Sequence, residues 1–209
     1  HAARAGADAI CCVPPFFYGS ADEEIVEHYR VVAAAADLPL MVYNLPQATG
    51  VEITPELMQK IQDRVPQLAG LKHSSNEFVH TRTYARMGLS CLTGSGRLML
   101  PAFTIGASGC VDGPPCAAPE RWVEVWDAYN AGDLPRAEAA QDRATEVVLL
   151  LVQFGYFGPA KALVGERLGI DCGDPRPPLH PLTPDERAHV LGEADRLGLG
   201  RVAVGQAGD

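Results

Sequence analysis

The chain has 209 residues, 47% of them hydrophobic and 21% charged, with a formal net charge of −9 and a pI near 5.1. This size and composition fit one large globular domain, or one domain with an appendage. The acidic balance argues against a nucleic-acid-binding or anionic-membrane surface, and no apolar run approaches the roughly 18 residues of a membrane-spanning helix.

Short apolar segments alternate with amphipathic ones along the first 131 residues. The apolar segments are typical of buried β-strands and cover residues 7–15, 38–44, 67–72, 91–95 and 108–113. Helical spacing predicts helices over residues 21–36, 54–65, 77–88, 98–106 and 119–132. Thr54 and Pro55 are the residues expected at a helix N-cap and first turn. This alternation predicts five βα units and a parallel sheet.

Strand patterns stop after residue 132. Residues 134–155, 158–169 and 183–198 predict three helices, the last two separated by a proline-rich turn. We therefore expect two domains: residues 1–131 form the α/β body, and residues 132–209 form a helical appendage.

Two parallel architectures are compatible with this order. A doubly wound sheet usually has a glycine-rich phosphate loop, but the chain contains no GxGxxG or GxxxxGK[ST] motif. A (β/α)8 barrel gathers its active site at the C-terminal ends of its strands. Tyr43, Lys72, Gly94 and Val111 all lie at predicted strand ends, which favours the barrel, although five units do not close one.

Lys72 is the residue most indicative of chemistry. It ends the apolar run LAGLK and is one of only three lysines among 17 basic residues. The pKa of a lysine amine falls readily on burial, and a free amine can attack a carbonyl carbon. A lysine at a strand end can also simply extend toward solvent.

Four segments at this spacing resemble the pyruvate-dependent aldolase family of dihydrodipicolinate synthase and N-acetylneuraminate lyase. They read GADAICCVPPFF, LPLMVYNLPQATG, LAGLKHSS and CLTGSGRLMLPAFTIGASGCVDG. The resemblance implies a (β/α)8 barrel, of which residues 1–131 would be the last five βα units. Residues 132–209 would be the three-helix C-terminal appendage. The three preceding βα units of a full family member are expected to be missing from this chain.

The resemblance also implies roles for particular residues. Lys72 would form a Schiff base with the C2 carbonyl of pyruvate, and Tyr43 would carry protons above the imine. Gly94 and Val111 would line the pocket through backbone and apolar contacts. Packing for Tyr43 and turn geometry for Gly94 are the structural alternatives.

Departures from the family pattern bear on the substrate. Ala48 stands where dihydrodipicolinate synthase has a carboxylate-binding arginine, and Phe17 where it has a tyrosine of the proton relay. N-acetylneuraminate lyase has an acidic pair at the positions where this chain has Gly96 and Arg97. Both activities are therefore disfavoured, and the YNLPQATG segment is closer to enzymes of 2-keto-3-deoxy sugar acids.

Two further side chains are candidates for contacts to the aldehyde half of the substrate. Arg97 could bind a carboxylate, or it could face solvent at a helix start. Asp112 could bond a substrate hydroxyl, or it could cap the next helix.

The sequence thus predicts a class I aldolase or lyase that acts on pyruvate and a small aldehyde or 2-oxo sugar acid. Dihydrodipicolinate synthase, a sugar-acid dehydratase and an inert scaffold paralogue remain alternatives. We expect no metal and no cofactor beyond the lysine itself, no nucleic-acid or membrane partner, and, from the resemblance, a homotetramer. The six cysteines form no CxxC pair, so we expect buried free thiols in a cytoplasmic protein.

Overall fold

The computed structural model describes residues 1–202, which belong to two compact units. The first unit comprises residues 1–111, and the second begins at Asp112. The predicted domain limits of 1–131 and 132–209 stay a prediction.

The first unit is built on a five-stranded parallel sheet whose strands follow one another in chain order. The strands are β1 (Ile10–Cys12), β2 (Leu40–Asn44), β3 (Leu68–His73), β4 (Ser90–Thr93) and β5 (Gly109–Cys110). The helices between them are α1 (Asp22–Ala36), α2 (Pro46–Thr49), α3 (Pro55–Arg64), α4 (His80–Arg86) and α5 (Met99–Thr104). All five predicted strands are present, and each is followed by a predicted helix. The four-residue α2 was not predicted.

Local sequence signals explain where these helices begin. The hydroxyl of Thr54 accepts a hydrogen bond from the backbone of Leu57 at 3.3 Å, and Pro55 occupies the first turn of α3. This arrangement satisfies an otherwise unpaired N–H and uses proline where no N–H is needed. The N-cap prediction is confirmed.

The two faces of the sheet differ in burial. Leu40, Val42, Leu71 and Cys91 are fully buried on the face that packs in one core with α1, α3 and α4. Residues that alternate with them, among them Tyr43 and Lys72, are only half-buried. Because successive strand residues face opposite sides, the second face is the more open one.

Gly70 permits the close pairing of β3 and β4. It lies opposite Ser90 in the register, and a Cβ at this position would collide with the Ser90 carbonyl group. Any larger residue would therefore push apart the two strands next to Lys72.

The second unit is helical throughout its described part. After the short 3-10 helix Pro114–Cys116, it contains α6 (Pro119–Asn130), α7 (Leu134–Val152), α8 (Phe157–Leu168) and α9 (Pro184–Arg196). The last three match the three predicted C-terminal helices.

Buried Arg167 of α8 joins several segments of this unit. Its guanidinium donates to the carbonyl of Ala117 at 2.5 Å and to the carboxylate of Glu120 at 2.5 Å. It also donates to the carbonyl of Gly200 at 3.3 Å.

In residues 1–202, no helix by itself has the length and apolar character to cross a membrane. Only α7 and α8 taken together meet these criteria, with a 116° bend between them, which is weak evidence for a span.

The prediction that the cysteines are buried is wrong for most of them. Only Cys91 is buried, Cys11 and Cys116 are exposed, and Cys12, Cys110 and Cys172 are half-buried. Short apolar runs do not reveal which face of a strand is covered. All six are free thiols, as expected.

Candidate active site

Tyr43 and Lys72 lie side by side at the C-terminal ends of β2 and β3. They are register partners in the parallel ladder, so their side chains leave the sheet on the same, more open face. The Lys72 Nζ lies 4.1 Å from the centroid of the Tyr43 ring. This distance brings the amine against the face of the phenol.

Neighbouring strands complete the surroundings of the amine. Leu92 of β4 is the register partner of Lys72 on its other side and is half-buried. Partial burial raises the pKa of the Cys11 thiol on β1, while the positive charge of Lys72 opposes this shift. An apolar side chain therefore lies next to the lysine on β4, and the thiol of Cys11 is near enough for the lysine charge to affect its pKa.

A buried polar cluster lies behind Tyr43 and Lys72. Asn44 donates from Nδ2 to the Glu52 carboxylate at 2.6 Å and accepts the backbone N–H of Ile53 at 3.1 Å. The same Nδ2 lies 3.3 Å from Nδ1 of His73. The hydroxyl of Ser75 donates to the second Glu52 oxygen at 2.7 Å. The loops that follow β2 and β3 are thus joined through one carboxylate.

His73 is held in its neutral form within this cluster. Burial lowers its pKa, and the nearby His80 acts in the same direction. A hydrogen bond to the Glu77 carbonyl, 3.1 Å from Nε2, and the charge of Glu52 act against this shift. Because Nε2 carries the proton, Nδ1 is the acceptor that faces Asn44.

Ser74 is a further candidate site residue, which the sequence pattern did not indicate. Its Oγ is buried and has no hydrogen-bond partner among the described residues. It follows Lys72 by two positions, on the same side of the chain, and packs so closely against Gly94 that a Cβ there would collide with it. A serine two residues after a strand lysine, with a glycine at the neighbouring strand end, was the available signal.

Two of the predicted pocket residues lie on exposed segments near the strand ends. Phe17 follows β1 and is 87% exposed, with a φ of 85° and its ring edge against Tyr18. Ala48 is exposed on α2.

The remaining candidates follow β4 and β5. Arg97 is exposed on the 3-10 helix Gly96–Leu98, after Gly94. The N–H of Val111 donates to the Thr93 carbonyl at 2.9 Å, while its side chain is 46% exposed. Asp112 belongs to the second unit, where its carboxylate accepts the N–H of Gly113 at 2.7 Å.

Comparison with known proteins identifies the family. The model of the dihydrodipicolinate synthetase family matches residues 1–195. The chain belongs to this family. A DapA-like lyase of Halobacterium salinarum is 39% identical over 201 residues, which are 95% of this chain and 66% of the relative. The 4-hydroxy-tetrahydrodipicolinate synthase 1 of Streptomyces coelicolor is 33% identical over 193 residues, 91% of this chain and 63% of the relative.

Solved structures of the dihydrodipicolinate synthetase family share the fold. A sialic acid aldolase of Ruminococcus gnavus with its catalytic lysine mutated has a TM-score of 0.87 and 24% identity. The match covers 94% of this chain and 66% of that one. The predicted fold, five βα units of a (β/α)8 barrel followed by C-terminal helices, is confirmed. The chain spans somewhat less than two thirds of the length of these relatives.

Proposed function

We propose that this protein is a class I pyruvate-dependent aldolase that cleaves or forms 4-hydroxy-2-oxo acids of the 2-keto-3-deoxy sugar acid type. The observation that carries the proposal is the amine of Lys72, 4.1 Å from the ring centroid of Tyr43 at one register position. Membership of a family that includes lyases and synthases supports it. The sialic acid aldolase with the same fold has a catalytic lysine.

In the cleavage direction the reaction begins with Lys72. Its free amine attacks the C2 carbonyl carbon of the oxo acid, and loss of water leaves a protonated imine. Removal of the C4 hydroxyl proton then breaks the C3–C4 bond, which releases the aldehyde while the bonding electrons move into the imine. The resulting enamine takes a proton at C3, and water hydrolyses the imine to free pyruvate and Lys72.

Tyr43 has two roles in this scheme. Its hydroxyl relays a proton: the oxygen takes the proton from the C4 hydroxyl while its own proton passes to the substrate carboxylate, and the relay runs the other way in the condensation direction. The face of its ring attracts cations, so it also stabilises the protonated imine that replaces the ammonium group of Lys72. The contact between amine and ring therefore persists through the reaction.

The side chains at the ends of the neighbouring strands support the proposed substrate class. The unpaired hydroxyl of Ser74 offers a hydrogen bond to a substrate hydroxyl next to the reacting carbons. Ala48 and Phe17 supply neither a carboxylate-binding guanidinium nor a relay hydroxyl. A hydroxylated sugar acid suits these groups better than the carboxylated aldehyde used in dihydrodipicolinate synthesis.

The proposal extends to cofactors and assembly. The lysine imine is the only electron sink that the scheme needs, so no metal or other cofactor takes part. Family resemblance is the basis for a homotetramer, with light scattering during size-exclusion chromatography as its test. Arg97 and Asp112 stay candidates for contacts to the aldehyde half.

Borohydride trapping tests the imine. The protein is incubated with pyruvate and borohydride, and its intact mass is measured. We expect the mass of one reduced pyruvate adduct, located on Lys72 by peptide mapping. Lys72→Arg should lose the adduct, because a guanidinium does not deprotonate in proteins. Lys60→Arg, at a surface lysine paired with Asp22, should keep it. Absence of the adduct in the unmodified protein would support an inert scaffold instead.

A substrate panel separates the active alternatives. Pyruvate released from 2-keto-3-deoxy sugar acids supports the aldolase, whereas loss of water without pyruvate release indicates a dehydratase. Condensation of pyruvate with aspartate semialdehyde, at a rate above that of the sugar-acid reactions, would indicate dihydrodipicolinate synthase.

A further inference from the structure

The ends of β2 and β3 are joined by side chains as well as by backbone. Asn44 follows Tyr43, His73 follows Lys72, and Asn44 and His73 are themselves register partners. Their side chains are 0% and 4% exposed and point to the opposite face from the Tyr43–Lys72 pair. The 3.3 Å contact between Asn44 Nδ2 and His73 Nδ1 crosses from one strand to the other.

We propose that Asn44 and His73 are positioning residues of this site, whose cross-strand hydrogen bond fixes the separation of Tyr43 and Lys72 from behind the sheet. The inference rests on the proposed function for its catalytic meaning. Asn44 is the next residue in the chain after Tyr43, and His73 is the next after Lys72. A relative shift of Asn44 and His73 therefore also moves the phenol and the amine. A misplacement of about 1 Å can slow an enzyme about 100-fold.

Asn44 and His73 are the last register pair of the β2–β3 ladder. Ser74 N–H donates to the Asn44 carbonyl at 2.9 Å, and Gly94 N–H donates to the His73 carbonyl at 2.8 Å. Beyond these bonds β2 leads into α2, and β3 leads into the loop before α4. The hydrogen bond between the Asn44 and His73 side chains therefore adds to the backbone bonds at the point where the ladder ends.

Glu52 strengthens the link by fastening both loops. One carboxylate oxygen accepts from Asn44 and the other accepts from Ser75, at 2.6 and 2.7 Å. Hydrogen bonds to a carboxylate are stronger than those between neutral groups. The hydroxyl of Tyr84 on α4 anchors the same loop by donating to the Ile53 carbonyl at 2.5 Å.

The cross-strand hydrogen bond between Asn44 and His73 requires a neutral His73 imidazole. Protonation of His73 would place a second N–H against the Asn44 amide donor, so the cross-strand bond would be lost. Three titratable groups surround the ring: the Glu52 carboxylate, the Tyr84 phenol, which stacks edge-on at 5.3 Å, and His80. Of these, only Glu52 favours the protonated imidazole, and it is already engaged by Asn44 and Ser75.

Two substitutions at His73 separate positioning from folding. His73→Phe keeps a ring against Tyr84 but removes the acceptor, whereas His73→Asn keeps an acceptor near the Nδ1 position and does not titrate. For His73→Phe we expect kcat to fall about tenfold or more, with faster hydrogen–deuterium exchange at the amides of Ser74 and Gly94. The smaller Asn variant should retain more activity. We expect kcat of the unmodified protein to fall as acid protonates His73, and this fall should be absent in His73→Asn.

His80→Phe is the matched control, because His80 also contacts the Tyr84 ring, at 6.1 Å between ring centroids, but does not connect two strands. We expect unchanged kcat and unchanged exchange in this variant. Unaltered exchange and kcat in folded His73→Phe, or an identical acid response in His73→Asn, would overturn the inference. If the unmodified protein forms no pyruvate adduct, the proposed function fails, while the exchange experiment still decides whether His73 holds the strand ends.

Discussion

The hydroxyl of Ser74 lies against Gly94 across the ends of β3 and β4, without a hydrogen-bond partner in the described part of the chain. A buried, unpaired hydroxyl costs free energy in the folded protein, in the range of about 1–3 kcal/mol. A polar group kept at such a cost is a candidate for binding a ligand.

Ser74→Ala should therefore separate stability from activity. We expect the free energy of unfolding to rise by about 1 kcal/mol, as measured by urea denaturation. The kcat/KM for 4-hydroxy-2-oxo acids should fall about tenfold, since one hydrogen bond to substrate is lost. Trapping of pyruvate itself should not change, because pyruvate has no C4 hydroxyl. Ser75→Ala is the control. It removes a hydrogen bond that Ser75 donates to Glu52 in the folded protein, so the free energy of unfolding should fall instead.

Tyr43→Phe should uncouple imine formation from bond cleavage. The ring and its contact with Lys72 remain, so borohydride should still trap the pyruvate adduct. Loss of the hydroxyl should lower kcat by about 100-fold or more, the usual contribution of general acid–base catalysis. Tyr18→Phe, at an exposed tyrosine, should leave kcat unchanged. Equal kcat values in Tyr43→Phe and the unmodified protein would contradict a proton-carrying role.

His73 should make the folded state sensitive to acid. Its pKa is lowered below the ordinary value of 6.5, chiefly by burial, so the unfolded chain binds the proton more readily. Its contribution to stability is complete above pH 6.5 and is lost as the pH falls from there through the lower, folded-state pKa. Urea denaturation from pH 8 to pH 5 should show a smaller loss of stability in His73→Asn. An equal loss in both proteins would assign the acid sensitivity to other groups.

Arg167 should be a major contributor to the stability of the second unit. Its side chain is 6% exposed and bonds to Glu120 and to two backbone carbonyls. Arg167→Met should lower the free energy of unfolding by about 2–3 kcal/mol, because buried carbonyls lose a charged donor. Arg196→Met, which breaks an exposed pair with Glu193, should change stability by less than about 0.5 kcal/mol. Similar losses in both variants would contradict this account.

Periodicity was sufficient to predict the order of the elements, because strands and helices of this chain bury their apolar faces in the ordinary way. The lysine that ends an apolar run made Lys72 a candidate, whereas Tyr43 was a candidate through the family resemblance. Periodicity did not reveal Ser74 or the Asn44–Glu52–His73 cluster. Those features depend on which loops fold back against which strand ends, and short polar segments carry no periodic signal of that contact. The prediction of cysteine burial was wrong for a related reason, because alternation along a strand does not show which face of the sheet is covered by helices.

The alternation of the two faces also matters for engineering. Side chains that hold the fold and side chains that would meet a substrate are interleaved residue by residue along β2 and β3. Randomised libraries at half-buried Met41 and Leu92 would therefore alter the more open face of the sheet while leaving the fully packed layer intact. The residues that hold the fold are unchanged in such libraries, so their variants should keep the stability of the unmodified protein.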